Sequence, residues 1–185
     1  MQGRKTRAPE ILAPAGSPEA LIAAVNAGAD AVYLGGRSFG ARMYARNFSP
    51  AELDAAVAYA HLRKAKVYVT LNILLHDNEL PNAARYLVAL YQAGVDAILV
   101  QDAGVAALAR ELVPGLPLHA STQCTFTDED ALLWAGIAGF ERVVLPRELS
   151  LAEIDRLLAI PVPDRPGIEI FIHGALCYAY SGQCL

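Results

Sequence analysis

Apolar and polar positions follow two rhythms along this chain. Short apolar runs of strand character recur, and each is followed by a stretch whose apolar residues fall three and four apart. Ile11–Ala15 predicts the first strand. Ser17-Pro18-Glu19 then opens a helix, with Ser17 as N-cap and Pro18 in its first position, that carries Leu21, Ile22 and Val25. Asp30–Leu34 predicts the second strand, a polar loop runs from Gly35 to Asn47, and Ser49-Pro50-Ala51-Glu52 opens a second helix. The pattern continues with strands at Lys66–Asn72, Ala97–Gln101, Leu116–Ala120, Arg142–Leu145 and Ile168–Ile172. Between them it predicts helices at Glu79–Ala93, at Ala103–Leu112, after the cap Thr127-Asp128-Glu129-Asp130, and at Ser150–Leu158.

Three phrases punctuate this series: Asn26-Ala27-Gly28-Ala29-Asp30-Ala31, Gln92-Ala93-Gly94-Val95-Asp96-Ala97 and Ala135-Gly136-Ile137-Ala138-Gly139-Phe140. Each marks a helix stop followed by a strand, which is the rhythm of βα units. Seven predicted strands with six helices between them point to an α/β fold, a parallel (β/α) TIM-type barrel; a doubly wound open sheet is the alternative. Such a barrel closes with eight strands, so this one is expected to be incomplete, an N-terminal piece of a longer protein. Its open edge is a surface for self-association. No linker or composition shift divides residues 10–185, which read as one truncated barrel domain after a basic tail, 1–9, expected to be disordered.

Composition narrows the function classes. The chain has 185 residues, 55% of them hydrophobic, which suits a well-buried sheet. No run approaches the roughly 18 apolar residues of a membrane span, and the basic Met1–Arg7 is followed by Pro9-Glu10 and not by a secretory h-region. The formal net charge of −4 gives this chain alone no electrostatic support for nucleic-acid binding. Three cysteines without a signal sequence suggest a reducing cytoplasm, where clustered thiols are metal or redox groups more often than disulfides.

In parallel α/β barrels the chemistry sits at the C-terminal ends of the strands. Every predicted strand end supplies hydrogen-bonding or ionisable groups: Gly16-Ser17, Gly35-Gly36-Arg37, Asn72, Gln101-Asp102, Ser121-Thr122-Gln123 and Arg147-Glu148, with His173 and Cys177 after the last. A polar pocket at that face follows. Arg42, Arg46 and Arg147 suit carboxylate or phosphate recognition, because guanidinium forks bind planar oxyanions bidentately; the plainer alternative is a surface salt bridge such as Arg147 with Glu148. Cys177 and Cys184 read as ligands of an iron–sulfur cluster, or as small buried hydrophobes. Cys177 with His173 also has the form of a thiolate–imidazolium nucleophile, and Ser181 could serve similarly. Neither a Gly-x-Ser-x-Gly elbow nor a His-Glu-x-x-His zinc helix is present. His61, His76 and His119 read as structural.

The C-terminal stretch is the densest in reactive side chains, and it carries a resemblance. An apolar strand followed by His173-Gly174-Ala175-Leu176-Cys177 and then Tyr180-Ser181-Gly182-Gln183-Cys184 resembles the signature of the U-32 peptidase family, the collagenase-like proteases. Ile11–Ser17, Gly28–Tyr33, Asn47-Phe48, His119–Gln123 and Pro146–Ser150 are similar to the family as well, so the resemblance covers nearly the whole chain from about Glu10. It implies a cluster held by four cysteines, two of them Cys177 and Cys184 and two further on, while Cys124 stands where relatives have an apolar residue. It also implies oxygen-independent hydroxylation of RNA bases or of a quinone precursor, with prephenate, a dicarboxylate, as hydroxyl donor of the RNA-modifying members. Leu74-Leu75-His76-Asp77-Asn78-Glu79-Leu80-Pro81 and His119-Ala120-Ser121-Thr122-Gln123 look most like the RNA-hydroxylating branch. On this reading Arg42 and Arg46 bind the donor, and His173, Arg147, Asn72 and Gln123 act on substrate or donor. RNA binding would then need a basic surface outside this chain. A collagenase-like peptidase and a non-catalytic barrel fragment are the alternatives.

Overall fold

The computed structural model describes residues 8–41, 46–161, 165–174 and 176–183; the basic tail Met1–Arg7 therefore lies outside the described residues. Seven strands alternate with six α-helices: β1 (Leu12–Pro14), α1 (Pro18–Asn26), β2 (Ala31–Gly35), α2 (Pro50–Leu62), β3 (Lys66–Leu71), α3 (Leu80–Gln92), β4 (Ala97–Val100), α4 (Ala103–Leu112), β5 (Leu118–Ala120), α5 (Glu129–Ile137), β6 (Arg142–Val144), α6 (Leu151–Ala159) and β7 (Gly167–Glu169). Single 3₁₀ turns at Asp77–Glu79 and Thr122–Cys124 complete the series.

The helices start where short polar side chains can satisfy their free N–H groups. Ser17, Ser49, Asp102, Asp128 and Ser150 each accept a hydrogen bond from a backbone N–H of the first turn. Ser49 with Glu52, and Ser150 with Glu153, form reciprocal capping boxes. The recurrent phrases end the helices as expected: Gly28, Gly94 and Gly139 all take positive φ, between 77° and 94°, which a side chain would strain.

All strand pairs are parallel, and the sheet order is β1-β2-β3-β4-β5-β6-β7. An uninterrupted order excludes the doubly wound alternative, whose order reverses at a switch point. The sheet is also strongly curled. Five inter-strand steps of about 4.8 Å would put β1 and β6 some 24 Å apart in a flat sheet. Yet Glu10, just before β1, meets Arg142 of β6 at 2.7 Å. β1 and β7 remain the two edges of this incomplete barrel.

Side-chain alternation sorts the strands' two faces. Val32, Leu34, Val67, Val69, Leu71, Ile98 and Val100 join the large outer cluster with Leu21, Leu53, Leu87 and Leu90 of the helices. The inner cluster is smaller: Ala31, Tyr68, Ala97, Leu99 and Val144, with Leu12, Tyr33 and Phe171 against it. Two sequence expectations change. Pairing on the last strand stops at Glu169, where β6 also ends, because Val144 is the register partner of Glu169; Ile170, Phe171 and Ile172 lie beyond it. The fifth strand begins at Leu118, two residues later than expected, since Pro117 has no N–H to give to a ladder.

Candidate functional site

A cavity of about 400 Å³ opens at the C-terminal ends of the strands. Gly16 reaches it after β1, Gly35 ends β2, Asn72 follows β3, Gln123 lies beyond β5, Arg147 beyond β6, and Glu169 and Phe171 come from β7 and its continuation. Tyr33, Leu99 and Val144 give it apolar walls. Loops hold the polar wall in place. Asn72 Oδ1 accepts from Ala41 N (3.0 Å) and its Nδ2 donates to Ser121 Oγ (3.0 Å), tying the β2–α2 loop to the end of β5. Ser121 Oγ accepts from Gln123 N (3.3 Å), and Gln101 Nε2 donates to Gln123 O (3.2 Å).

Arg147 is held on the cavity wall by an aromatic ring and a sulfur. Its guanidinium lies 3.7 Å over the Phe171 ring, a favourable cation–π placement, and Nη1 donates to Cys177 Sγ at 3.2 Å. Its Nε is buried without a partner, and so is Oγ1 of Thr122, another residue of the cavity lining. The plainer alternative, a surface pair of Arg147 with Glu148, is not among the ion pairs of the described residues. Glu148 turns instead to Ser181, accepting from its N (3.0 Å) and its Oγ (3.1 Å). Burial works against the Glu148 charge, but backbone N–H groups of Glu148 and Ser181 hold its carboxyl below the usual range. Ser181 is fully buried; its Oγ also lies 3.5 Å from Cys177 Sγ, placed to accept from the thiol, and its carbonyl accepts from Thr125 Oγ1 (2.9 Å). The serine thus pins the C-terminal segment to the turn after β5 and fixes the sulfur toward Arg147.

A charged cluster lies toward the N-terminal ends of the strands, where Glu10 precedes β1, Lys66 begins β3 and Arg142 begins β6. Glu10 accepts from Arg142 Nη1 (2.7 Å), Tyr68 Oη (2.8 Å) and Lys66 Nζ (3.4 Å). Burial opposes its charge, but the bonds from Arg142 and Tyr68 outweigh that and hold the carboxyl down at about 2. Arg142 also reaches Glu169 Oε2 at the longer distance of 3.3 Å; there burial wins and holds Glu169 above the usual carboxylate range. His119 packs edge-on against Tyr68, ring centroids 4.8 Å apart. Burial, and then the charge of Arg142, push its imidazole down to about 3, a neutral structural histidine.

Of the residues singled out from the sequence, the fold brings Asn72, Gln123, Arg147, Arg46 and Cys177 to one cavity. Arg46 is mostly exposed there and ion-paired with Glu19 (3.6 Å) and Glu52 (3.7 Å). His173 is not brought in: it is exposed on the bend after β7. Arg42 and Cys184 lie outside the described residues. Among the described residues, the Cys177 sulfur is bonded by Arg147 and Ser181 and not by an imidazole. None of those residues form a group of three or more histidine, cysteine or acidic side chains fit to hold a metal; among them Cys177 brings a sulfur to the cavity. Cys124 donates its thiol to Val100 O (3.4 Å), and burial pushes it up to about 12, as a small apolar residue. Sequence reading missed Glu169, Phe171 and the Glu10–Arg142 pair; the signal that could have found them is strand parity, which puts 169 and 171 on the face shared with Val144.

A curled parallel β/α sheet with a polar cavity at its C-terminal strand ends defines the class: a barrel of the TIM type. The solved U32 peptidase Mk0906 superposes over 92% of this chain and 70% of its own with a TM-score of 0.67 at 16% identity. Phosphonopyruvate hydrolase does so over 87% and 74% with a TM-score of 0.59 at 15% identity. Both show the fold alone. The family model described as Peptidase family U32 matches residues 16–185, and this chain belongs to that family. It is 47% identical over 175 residues to the 23S rRNA 5-hydroxycytidine C2501 synthase of Escherichia coli (strain K12), covering 95% of this chain and 26% of that protein. It is 41% identical over 182 residues to the tRNA hydroxylation protein P1 of Bacillus subtilis (strain 168), covering 97% and 42%. An uncharacterized protease, MJ0090, of Methanocaldococcus jannaschii is 39% identical, covering 95% and 43%. The chain thus spans less than half the length of these curated relatives. Among the described residues no helix is long and apolar enough to cross a membrane.

Proposed function

We propose that this chain is the barrel portion of an RNA-base hydroxylase acting on tRNA or rRNA in the cytoplasm. The observation that carries the reading is 47% identity, across nearly the whole chain, to a protein named for making 5-hydroxycytidine in 23S rRNA. Relatives named for tRNA hydroxylation support it. In this reading the cavity takes a small-molecule hydroxyl donor such as prephenate. Arg147 binds a carboxylate of the donor through the guanidinium edge that Cys177 leaves free, Asn72 and Gln123 orient it, and Arg46 and Arg42 attract it. His173, exposed on its bend, orients the RNA. Cys177 and Cys184 supply two thiolate ligands to an iron–sulfur cluster completed by the additional length the relatives have, which also supplies the basic surface for RNA. Such a cluster, when bound, supplies one-electron transfer. The open β1 and β7 edges serve self-association.

A peptidase reading is favoured by the family's name and by the relative named as a protease. It requires an activated nucleophile, and an arginine and a serine on the Cys177 sulfur do not supply a general base.

Complementation decides between the two. The intact protein containing this chain is expressed in Escherichia coli lacking the 23S rRNA 5-hydroxycytidine synthase and in a strain lacking tRNA hydroxylation protein P, and digested RNA is analysed by mass spectrometry. Return of the hydroxylated nucleoside in either strain is the expected result. No return in both, with hydrolysis of labelled gelatin by the purified protein, would favour the peptidase.

A further inference from the structure

The stretch that follows Glu169 lines part of the cavity without belonging to the sheet. Among the described residues it makes one backbone–backbone hydrogen bond, Gln183 N to Tyr180 O at 2.9 Å. Leu176 is almost fully exposed and Tyr178 fully so, so neither sequence neighbour packs Cys177 into place. Side chains of the loop after β6 hold it there. Arg147 and Glu148, consecutive in the chain, grip the two ends of residues 177–181. Arg147 Nη1 donates to Cys177 Sγ (3.2 Å), and Glu148 Oε1 accepts from Ser181 N (3.0 Å) and Ser181 Oγ (3.1 Å). A serine hydroxyl has one proton to give, and the carboxylate, nearer and charged, takes it. The lone pairs of Ser181 Oγ then face Arg147 N and Cys177 Sγ, both at 3.5 Å, so the serine meets the sulfur as an acceptor.

We propose that Glu148 is a positioning residue of the cavity: its carboxylate fixes the hydroxyl of Ser181, and Ser181 sets the Cys177 sulfur against Arg147. Neither Glu148 nor Ser181 lines the cavity; both act through Cys177 and Arg147. Thr125 Oγ1 donates to Ser181 O (2.9 Å) and accepts from Gln183 Nε2 (3.1 Å). Those bonds hold the segment but leave the serine hydroxyl free to turn, and Glu148 gives it a direction. Without the carboxylate the hydroxyl proton swings toward the sulfur, and the thiol loses its acceptor. The inference rests on the part given to Cys177 and Arg147 in the proposed function.

Infrared spectroscopy of the S–H stretch tests it, on the reduced protein freed of metal by a chelator. A thiol that donates a hydrogen bond absorbs at lower frequency than a free one. The Cys177 band is identified by its loss in Cys177→Ala, and Cys124, whose thiol donates to Val100 O, is the internal reference. Glu148→Ala is expected to move the Cys177 band up toward the free-thiol frequency and to leave the Cys124 band in place. Glu148→Gln, which keeps an acceptor oxygen, restores the band. Ser181→Ala loses the hydroxyl but keeps the N–H bond to Glu148; it moves the band in the same way and serves should Glu148→Ala fail to fold. In the complemented strain Glu148→Ala is expected to lower RNA hydroxylation at least about tenfold, the effect of one hydrogen bond to a charged group, and Glu148→Gln to recover most of it. A Cys177 band unmoved by Glu148→Ala, or moving together with that of Cys124, overturns the proposal, as does full hydroxylation by Glu148→Ala. A moved Cys177 band in a protein whose wild type hydroxylates no RNA supports the placement of the sulfur and overturns only the RNA reading.

Discussion

At position 119 an imidazole is packed against Tyr68 under the charge of Arg142, and that environment keeps it neutral. The consequence for stability has a definite sign. Below the ordinary histidine value of 6.5 the unfolded chain takes up a proton that the folded chain refuses until about 3. Stability from this residue is therefore complete above 6.5 and declines as pH falls, by up to about 1.4 kcal/mol per pH unit. Glu10, held down at about 2, adds a decline in the same direction only below the ordinary carboxylate value of 4.5. Glu169, held above that value, acts in the opposite direction, because its folded form keeps a proton the unfolded form releases. Comparison of the wild type with His119→Gln over the interval from pH 7.5 to 5.5 isolates the histidine. Urea unfolding is expected to show a loss of about 1.4 kcal/mol across it, and His119→Gln to show a smaller loss by that amount. Equal pH dependence in both proteins would refute the buried neutral histidine.

Between residue and fold, the C-terminal segment shows what one backbone position can hold. Gly182 takes φ +84°, and a Cβ there would stand 2.5 Å from Thr125 Oγ1 and 2.8 Å from Gln123 O. The backbone carbonyl cannot swing away as a side chain could. Gly182→Ala is therefore expected to loosen the segment from the turn after β5 at a cost of about 1–3 kcal/mol. Hydrogen exchange at Ser181 and Gln183 should quicken about tenfold or more, with smaller change in α3 or β4; unchanged exchange would show that the contact is not a constraint. Elements with local signals were legible in the sequence. α4 begins and ends as expected because Asp102 caps it and Val113-Pro114 terminates it. The end of β7 was not, because Ile170-Phe171-Ile172 has every local property of a strand and only the length of its neighbour β6 stops the pairing. The polar strand ends Asn72, Gln123 and Arg147 were legible as cavity residues because strand direction alone puts them at one face. Glu169 was hidden in an apolar run, and the Glu10–Arg142 pair spans 132 positions that only the curl of the sheet brings together.

At the scale of the whole molecule, β1 and β7 have no outer strand neighbours among the described residues, and Ile172 and Leu176 beside β7 are almost fully exposed. Unpaired parallel edges with apolar flanks favour association. Light scattering on the 185-residue chain is expected to give a mass above the monomer that rises with concentration, and Ile172→Lys to lower it; a monomer at every concentration would contradict this. The functional account rests on one cavity serving RNA hydroxylation. Its most direct measurement is the hydroxylated nucleoside content, by mass spectrometry, of RNA from the complemented strain, compared between the intact protein and its Arg147→Ala and Cys177→Ala forms. The account predicts hydroxylation by the intact protein and a loss of at least about tenfold with either substitution, a single charged hydrogen bond being worth that much. Full hydroxylation by both substituted proteins would contradict the cavity as the site, and none by the intact protein would contradict the function.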